Sequence, residues 1–288
     1  MNILSNVLIV PRLSRVQIDM ARYGVDEKGL EKIYAKRGNA EQIFFNHMEH
    51  MSALDFLEKK FPGSLVSRDD FNESIASKAS LVIAAGGDDH FKFISHFLKK
   101  TPIFGLNTNP KSSRGELLEK NTDAAVKNLE SGKFRIIPET RIDAAINGRP
   151  LLPGTCIYAL GCANPFGNFR HAVEFKKKKE EHRITSGILV YSGNGSKDWV
   201  AGAGRYLGKK IKFFKPAEKK LGWLVRESRA DYNLLAGTIG EGEELKVIPL
   251  KDNSFISPDA VIEHKEEIQS RDVVIFRVSS TPLMRVRF

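Results

Sequence analysis

The sequence predicts an α/β domain with a doubly wound parallel sheet, followed by a β-rich domain. The first half of the chain alternates short apolar runs with segments of helical periodicity, a pattern typical of a parallel sheet with helices on both faces. The second half changes to short β-rich runs broken by Gly, Asn and Pro, which favours strands joined by turns. We place the domains at residues 1–135 and 136–288, with the last segment a candidate to return to the first domain.

Strands of the first domain are predicted at short apolar runs, because strands buried on both faces are continuously apolar. Helices are predicted between them from the spacing of apolar residues, over residues 26–37, 40–60, 91–100 and 122–132, the last ending near Gly132. The predicted strands are Val7–Val10, Ser64–Ser67, Leu81–Ala84 and Pro102–Leu106.

The second domain carries β-rich runs that end at turn residues. Asn147-Gly148 is a strong hairpin signal. The charged run Lys176–Arg183 predicts a solvated hairpin tip. The predicted strands are Ile142–Ile146, His171–Phe175, Gly187–Tyr191, Glu244–Ile248 and Val273–Val278.

The charge balance limits the classes of partner. The 288 residues include 45 Lys and Arg against 35 Asp and Glu, a formal net charge of +10, which favours anionic partners such as nucleotides. We expect no nucleic-acid partner, because basic and aromatic residues are not interleaved as they are in single-strand binders.

Cysteine use and hydropathy predict a cytoplasmic protein without a membrane partner. Cys156 and Cys162 show neither a CxxC pattern nor paired histidines nearby, so zinc is not expected and a reducing compartment fits. No apolar stretch approaches the roughly 18 residues of a membrane span. Residues 1–10 are interpreted as a strand and not as a signal peptide.

The most informative motif directly follows the predicted strand Leu81–Ala84. It contains Gly86-Gly87-Asp88 and lies at the carboxyl end of a buried strand, where open α/β sheets bind their ligands. Two glycines let a phosphate approach the backbone closely, because neither has a Cβ. Asp88 is then placed to take a proton from a sugar hydroxyl or to hold a metal ion.

A second motif follows the next predicted strand. Asn107 and Thr108 belong to the polar turn after Pro102–Leu106. Adjacent strand ends of a doubly wound sheet converge on one crevice. Asn107 is therefore expected to supply amide contacts to the ligand on which Asp88 acts.

A third motif, Ser192–Trp199, follows the predicted strand Gly187–Tyr191. Its glycines and hydroxyl residues are suited to expose backbone N–H groups as an anion-binding nest. Lys197 adds a positive charge for phosphate, and the Trp199 ring is a candidate to stack on a base.

Together these motifs resemble the NAD kinase family, closest to its mitochondrial-type branch. The family's GGDGT corresponds to Gly86–His90, and the branch's G-V-N-T-D-P-x-x-S-x-G-x-L to Gly105–Leu117. The branch's S-S-G-L and T-G-T-G-S-K-A-W correspond to Thr185–Ile188 and Ser192–Trp199. A late D-x-x-x-S-F-x-F-x-D-G-A pattern is similar to Asp252–Ala260.

The resemblance implies the NAD kinase/diacylglycerol kinase-like fold, an active site between the two domains, and homodimers or larger homo-oligomers. It implies phosphoryl transfer from ATP, with Mg²⁺ bridging its phosphates, to the adenosine ribose 2′-hydroxyl of NAD, giving NADP. Asp88 matches the acidic residue that activates this hydroxyl and is the predicted catalytic residue. No metal-binding residue is predicted, and the predicted nucleotide-binding residues are Gly86, Gly87, Asp89, His90, Asn107, Thr108, Ser186, Ser192, Asn194, Gly195, Ser196, Lys197 and Trp199.

Departures from the family pattern motivate a second hypothesis, a catalytically silent nucleotide-binding protein of the same fold. Asp89 replaces the third glycine of GGDG, and its charge would repel a triphosphate. His90 replaces the following Thr and is a candidate to donate to phosphate. Gly161 and Cys162 stand where the family has an Asn-Glu pair that helps to hold NAD. A third hypothesis is a lipid kinase acting on diacylglycerol or a sphingoid base, because such kinases share the Gly-Gly-Asp turn.

Overall fold

The computed structural model describes residues 3–36, 38–164, 166–197, 199–205, 207, 211–228 and 232–288. The chain divides into two compact units, Met1–Ile136 together with Arg285–Phe288, and Ile137–Met284. The last four residues therefore pack with the first unit.

The secondary structure follows the two units. The helices of the described residues are α1 Arg15–Tyr23, α2 Glu27–Ala35, α3 Ala40–Lys60, α4 Glu73–Lys78, α5 Asp88–Ser95, α6 Thr122–Glu130 and α7 Trp199–Arg205, with a 3-10 helix at Ile262–His264. The strands are β1 Val7–Pro11, β2 Leu81–Gly86, β3 Ile103–Asn107, β4 Arg135–Glu139, β5 Ile142–Ile146, β6 Arg149–Pro150, β7 Ile157–Cys162, β8 His171–Phe175, β9 Lys178–His182, β10 Gly187–Tyr191, β11 Leu221–Arg226, β12 Ala236–Ile239, β13 Leu245–Pro249, β14 Ser254–Pro258, β15 Glu266–Ile268, β16 Val274–Val278 and β17 Leu283–Arg287.

The first sheet has the strand order β1-β2-β3-β17-β4. The pairs β1–β2, β2–β3 and β3–β17 are parallel, which confirms the predicted parallel sheet. Every residue of β2 and β3 is buried, as expected for strands covered on both faces. Ile83 and Ala85 of β2 join a core with Leu57 of α3 and Val126 of α6, and α5 also packs on β2.

Capping residues explain where two helices of this unit begin and end. The Ser14 hydroxyl accepts from the Gln17 backbone N–H while the Gln17 side chain accepts from the Ser14 N–H, a capping box that starts α1. The Asn121 side chain caps α6 in the same sense. Gly132, at φ 70°, follows the end of α6, as the sequence predicted.

The predicted strand Ser64–Ser67 is wrong. This segment forms a single parallel bridge, between Leu65 and Ile9, through the hydrogen bonds Ile9 N to Ser64 O and Val66 N to Ile9 O. The pairing ends after this one bridge, so the segment does not form a strand.

Three predicted helices have different bounds, and the first difference is that α6 ends at Glu130 and not at residue 132. α5 begins at Asp88 and not at residue 91, because Gly87 takes the N-cap position and acidic residues in the first turn suit the helix dipole. It ends at Ser95, after which His96–Leu98 form tighter turns with Leu98 N donating to Ser95 O. α2 ends at Ala35, and Arg37, the predicted end, lies outside the described residues. α1 and α4 were not predicted.

The second unit contains two antiparallel six-stranded sheets, which confirms its β-rich character. Their strand orders are β12-β11-β10-β7-β14-β15 and β6-β5-β16-β13-β8-β9. A shared core includes Trp223 and Ile188 from the first of these sheets and Phe276 and Val247 from the second. α7, which was not predicted, interrupts the strands after β10.

Two hairpins of this unit have the tight turns that the sequence indicates. Asn147 and Gly148 have φ values of 51° and 83°, as a two-residue type I′ turn requires. Lys176 and Lys177 have φ values of 49° and 63° and join β8 to β9. The charged run therefore forms the tip at its first two residues and continues into β9. No helix in the described part of the chain is both long and apolar enough to span a membrane.

Candidate functional site

The carboxyl ends of β1, β2 and β3 lie side by side in the first unit. Gly86, the last residue of β2, pairs with Asn107, the last residue of β3. Pro11 of β1 pairs with Ala85, and the Arg12 backbone N–H donates to Ala85 O at 3.0 Å. This register brings the Gly-Gly-Asp turn, the Asn107 turn and Arg12 to one edge of the sheet, the edge at which such sheets bind ligands.

The two glycines of the turn lie against the Arg12 side chain. A Cβ on Gly86 would lie 3.1 Å from Arg12 Cγ and Cδ and 3.1 Å from His90 Cδ2. A Cβ on Gly87 would lie 3.7 Å from Arg12 Nη1. The lack of side chains at these positions therefore leaves room for a large cationic residue, which the sequence analysis did not select.

Asp88 holds the segment that follows the Asn107 turn. Its Oδ2 accepts a hydrogen bond from the Glu116 backbone N–H at 3.0 Å, and its Oδ1 accepts from the Leu117 N–H at 2.9 Å. An ionised carboxylate has about four lone-pair sites, so each oxygen keeps further capacity to accept. Asp88 therefore positions the Glu116–Leu117 segment, in addition to its predicted catalytic role.

Asp89 lies on the outer side of α5. Its side chain is 94% exposed, and its carboxylate pairs with Lys92, one turn along the helix, at 3.1 Å. An ion pair of this kind is screened by water and contributes little to stability.

His90 is buried beneath the turn. Its Nε2 lies 2.8 Å from the carbonyl oxygen of Val10, which can only accept, so Nε2 carries the proton. Nδ1 has no hydrogen-bond partner among the described residues, and burial lowers the pKa of His90 to about 4. The ring is directed to β1, so a phosphate contact by His90 would require the ring to leave this position.

Asn107 shapes its own turn. Its Oδ1 accepts from the Asn109 N–H at 3.0 Å, and its Nδ2 donates to Ser113 O at 3.1 Å. Gly115, at φ 58°, passes so close that a Cβ there would lie 2.4 Å from Asn107 Nδ2. The buried amide is therefore engaged within the loop, and the predicted amide contact to a ligand would compete with these bonds.

Thr108 is tied to the turn region through His50 of α3. His50 Nε2 lies 3.0 Å from Arg12 O, which only accepts, so Nε2 donates. The ring is neutral because burial lowers the pKa of His50 to about 4, and its Nδ1 therefore accepts from the Thr108 hydroxyl at 2.8 Å. The sequence gives no signal for His50, which comes from a helix far from the motif.

The Ser192 loop of the second unit is a compact turn stabilised by its own hydrogen bonds. The Asn194 N–H donates to Ser192 Oγ, the Gly195 N–H to Ser192 O, and the Ser196 N–H to Gly193 O. Ser196 is buried and its hydroxyl donates to Ser192 O at 3.0 Å. These three backbone donors are used inside the loop, so the predicted anion nest is not formed by them.

The polar side chains of this loop have separate partners. Asn194 Nδ2 donates to Glu139 Oε2 at 2.8 Å, and Glu139 is buried. Lys197 is exposed, and Asp198 lies outside the described residues. Sequence reasoning did not select Glu139, which lies at the end of β4.

Trp199 and Ser186 are linked through Arg226. The guanidinium carbon of Arg226 lies 4.5 Å from the centre of the Trp199 ring. The Ser186 backbone N–H donates to Arg226 O at 3.1 Å. Trp199 begins α7 and is partly exposed, so its ring is accessible while Arg226 covers one part of it.

Asp259, also not selected from the sequence, anchors the start of β7. Its carboxylate accepts from the backbone N–H groups of Thr155, Cys156 and Ile157 at 2.7, 2.6 and 2.9 Å. Asp259 is buried and has φ 54°. Ser192 hydrogen-bonds to the same segment, because its hydroxyl donates to Thr155 O at 2.6 Å.

About half of the chain is similar in sequence to mitochondrial NAD kinases. No model of a known protein family matches the chain. Mitochondrial NAD kinase 2 from Mus musculus is 26% identical over 167 residues, which cover 52% of this chain and 36% of the mouse protein. The Homo sapiens protein of the same name is 26% identical over 52% of this chain and 37% of its own length. The match thus spans little more than a third of these relatives.

Two solved structures share the fold along most of the chain. An NAD kinase from Archaeoglobus fulgidus in complex with ATP has a TM-score of 0.62 and 14% identity, covering 98% of this chain and 92% of that one. The chain resembles the NAD kinase family. The yeast NADH kinase complexed with NADH has a TM-score of 0.64 and 11% identity, covering 80% and 67%. At these identities the likeness shows a common fold.

The residues that the resemblance aligns with the Asn-Glu pair of NAD kinases lie at the end of a strand. Gly161 and Cys162 end β7, and Gly161 pairs with Phe255 of β14. A Cβ on Gly161 would lie 3.1 Å from the Phe255 ring and 3.2 Å from Ser186 O. An asparagine at position 161 would therefore need both the Phe255 ring and the Ser186 backbone to shift by a few tenths of an ångström.

The described residues do not form a metal site of their own. No group of three or more His, Cys, Asp or Glu lies close enough within the described ranges to hold a metal ion. Magnesium in kinases is usually held through one or two carboxylates and the substrate phosphates.

Proposed function

We propose that the protein transfers a phosphoryl group from ATP to the adenosine ribose 2′-hydroxyl of NAD, giving NADP. The observation that carries this proposal is Asp88, which follows two glycines at the edge where β1, β2 and β3 end side by side. The likeness to mitochondrial NAD kinase 2 over half of the chain supports it. Structures of the same fold include one with ATP and one with NADH.

In this proposal Asp88 acts as the base that receives the proton of the ribose hydroxyl. Each of its oxygens accepts one backbone hydrogen bond, which fixes the carboxylate while leaving lone pairs on both oxygens. Phosphoryl transfer depends mainly on positioning and on neutralising phosphate charge. Mg²⁺ bound to ATP would supply part of that neutralisation, and a fixed carboxylate supplies the orientation.

The test is NADP formation by the purified protein from NAD and Mg²⁺-ATP, compared between wild type, Asp88→Asn and Asp89→Asn. A lost general base lowers turnover by about 10²- to 10⁴-fold, so we expect that loss for Asp88→Asn. Asp89→Asn is the matched control, because it removes a neighbouring carboxylate that is exposed. Equal rates for the two variants would exclude the role given to Asp88.

The silent nucleotide-binding protein is a second candidate, favoured by Gly161 and Cys162 at the position of the Asn-Glu pair. Calorimetry separates the two proposals. Binding of ATP and NAD by the wild type, without any NADP formed, would support the silent protein. Diacylglycerol and sphingosine in the same assay test the lipid kinase hypothesis, which requires a phosphorylated lipid product.

We also propose an assembly state and a cellular compartment for the protein. The protein is proposed to form a homodimer or larger homo-oligomer, which sedimentation at several concentrations would measure. It is proposed to work in the cytoplasm, in keeping with two cysteines that are both free thiols. The relatives named above are described as mitochondrial, so localisation of a tagged full-length chain decides between the two compartments.

A further inference from the structure

Arg12 occupies a fixed place at the end of β1. Its backbone N–H donates to Ala85 O at 3.0 Å, and its carbonyl accepts from His50 Nε2 at 3.0 Å. Both bonds use the backbone, so any residue except proline could make them. The reason for an arginine must therefore lie in its side chain.

The side chain extends over the Gly86–Gly87 turn. Its Cγ and Cδ lie against Gly86, and Nη1 lies 3.7 Å from the place where a Cβ on Gly87 would be. A Cβ at position 86 would press on the aliphatic stem of Arg12, whereas a Cβ at position 87 would reach only ordinary contact distance from the guanidinium group. The Arg12 side chain therefore occupies the space that the two glycines leave open.

The guanidinium group is partly buried without a counter-ion. Nε is inaccessible to water and has no hydrogen-bond partner among the described residues. Burial lowers the pKa of Arg12, and no carboxylate of the described residues offsets that effect. An arginine nevertheless stays protonated near neutral pH, so Arg12 holds a partly desolvated positive charge with no anion among the described residues.

Two buried histidines lie near the guanidinium group. The imidazoles of His50 and His90 lie close enough for Arg12 to lower the pKa of each, after burial, and Arg68 acts on His90 in the same direction. With both histidines neutral, the positive charge beside the glycine turn is that of Arg12, and a bound phosphoryl group would stabilise it. The planar guanidinium matches two phosphate oxygens at once.

We propose that Arg12 binds a phosphoryl group of the nucleotide at the Gly86–Gly87 turn. The assignment of that nucleotide as ATP or NAD rests on the proposed kinase function. The chemistry common to both is a phosphate ester or anhydride oxygen, held by the Arg12 guanidinium. Arg12 is then a substrate-binding residue of the same site as Asp88.

The experiment compares Arg12→Met, Arg12→Lys and the control Arg277→Met. Methionine keeps much of the apolar stem of Arg12, lysine keeps the charge without the planar fork, and Arg277 is an exposed residue that pairs with Glu244 on the surface. Binding of ATP, NAD, inorganic tripolyphosphate and adenosine is measured by calorimetry for each variant. Thermal unfolding without ligand is measured in parallel.

We expect Arg12→Met to weaken tripolyphosphate binding by about 10- to 100-fold, the range of a hydrogen bond to a charged group. Adenosine binding and the behaviour of Arg277→Met should match wild type, and Arg12→Lys should be intermediate. The ATP and NAD titrations show which nucleotide supplies the phosphoryl group. The melting temperature of free Arg12→Met should equal or exceed that of wild type, because an unpaired buried charge has been removed.

Wild-type affinity of Arg12→Met for tripolyphosphate, ATP and NAD would overturn the inference. A lower melting temperature with those affinities unchanged would assign Arg12 a structural role and overturn it equally. Failure of the proposed function gives a different result. Wild type would then form no NADP, while its Arg12-dependent binding of tripolyphosphate would remain.

Discussion

The backbone N–H of Leu117 donates a 2.9 Å hydrogen bond to Oδ1 of Asp88, across 29 residues of sequence. The other carboxylate oxygen is bonded to the preceding amide, that of Glu116. The loop between Asn107 and this segment returns along β3, where the Asn107 N–H donates to Glu119 O and the Glu119 N–H to Gly105 O. Asp88 therefore closes a loop whose two ends already lie side by side.

Replacing Asp88 by alanine should loosen this loop. Hydrogen bonds to a charged group contribute about 1.5–3 kcal/mol, so we expect a free energy of unfolding lower by about that amount and faster hydrogen exchange at Glu116 and Leu117. Exchange read by mass spectrometry on peptides covering residues 110–120 measures the change. Unaltered protection in Asp88→Ala would show that the loop is held by the Asn107 bonds alone.

Asp89 should have little effect on the rate of NADP formation. Its exposed carboxylate pairs with Lys92, and it contacts neither the glycines nor Arg12 in any hydrogen bond or ion pair of the described residues. We expect Asp89→Gly to leave the rate of NADP formation unchanged and to lower stability by about 1 kcal/mol, the helix-propensity cost of glycine. A several-fold gain in rate would mean that the carboxylate repels the donor nucleotide despite its outward position.

Thr108 should stabilise the neutral form of His50 that carries its proton on Nε2. Thr108→Val removes the hydroxyl that donates to His50 Nδ1 and leaves a buried acceptor unsatisfied, at a cost of about 1–3 kcal/mol. Thr108→Ser keeps the hydroxyl and should lose much less. Urea unfolding of both variants at neutral pH measures the difference, and a loss in Thr108→Val no larger than that in Thr108→Ser would contradict this role of the hydroxyl.

Gly115 offers a test of the Asn107 turn with a matched control. Gly115 and Gly132 have similar backbone conformations, at φ 58° and φ 70°. A Cβ on Gly115 would lie 2.4 Å from Asn107 Nδ2, whereas a Cβ on Gly132 would meet nothing within 4 Å. Alanine at either position carries the left-handed penalty of about 1–2 kcal/mol, and Gly115→Ala should cost more in urea unfolding because Asn107 must move.

Turn residues and apolar runs in the sequence correctly predicted those elements that depend only on neighbouring residues. The Asn147-Gly148 hairpin and the apolar run of β2 depend on adjacent residues, and both form as predicted. The strand at Ser64–Ser67 was wrong because the extent of pairing with β1, a single bridge at Leu65, is not set by the local apolar run. The start of α5 was missed because a helix cap is set by backbone geometry at Gly87, which periodicity of apolar residues does not register.

The partners of the candidate site could not be predicted, because they come from separate elements brought together by sheet register. Arg12 reaches the turn only because β1 pairs with β2 with Pro11 opposite Ala85. His50 reaches Thr108 from α3 by helix packing on the sheet. A scan for motifs finds the conspicuous Gly86–Asp88 and passes over the single arginine after β1.

Buried histidines should make the protein unstable in mild acid. Burial lowers the pKa of His50 and His90 to about 4 and that of His171 to about 3, the last with a smaller contribution from His182. The reference pKa in the unfolded chain is 6.5. Between pH 6.5 and 4 the unfolded chain therefore binds more protons than the folded one, so the free energy of unfolding falls as pH falls.

The steepness of that fall gives the test. Each such histidine contributes a slope of up to about 1.4 kcal/mol per pH unit below pH 6.5 and none well above it. His171 lies on β8 with its ring stacked between Phe169 and His182, at centroid distances of 4.7 and 5.0 Å. His171→Phe keeps an aromatic ring in this stack while removing the titrating group. Urea unfolding at pH 7.5, 6.0 and 5.0 should therefore show a shallower acid slope for His171→Phe, and an unchanged slope would mean that His171 does not remain neutral in the folded protein.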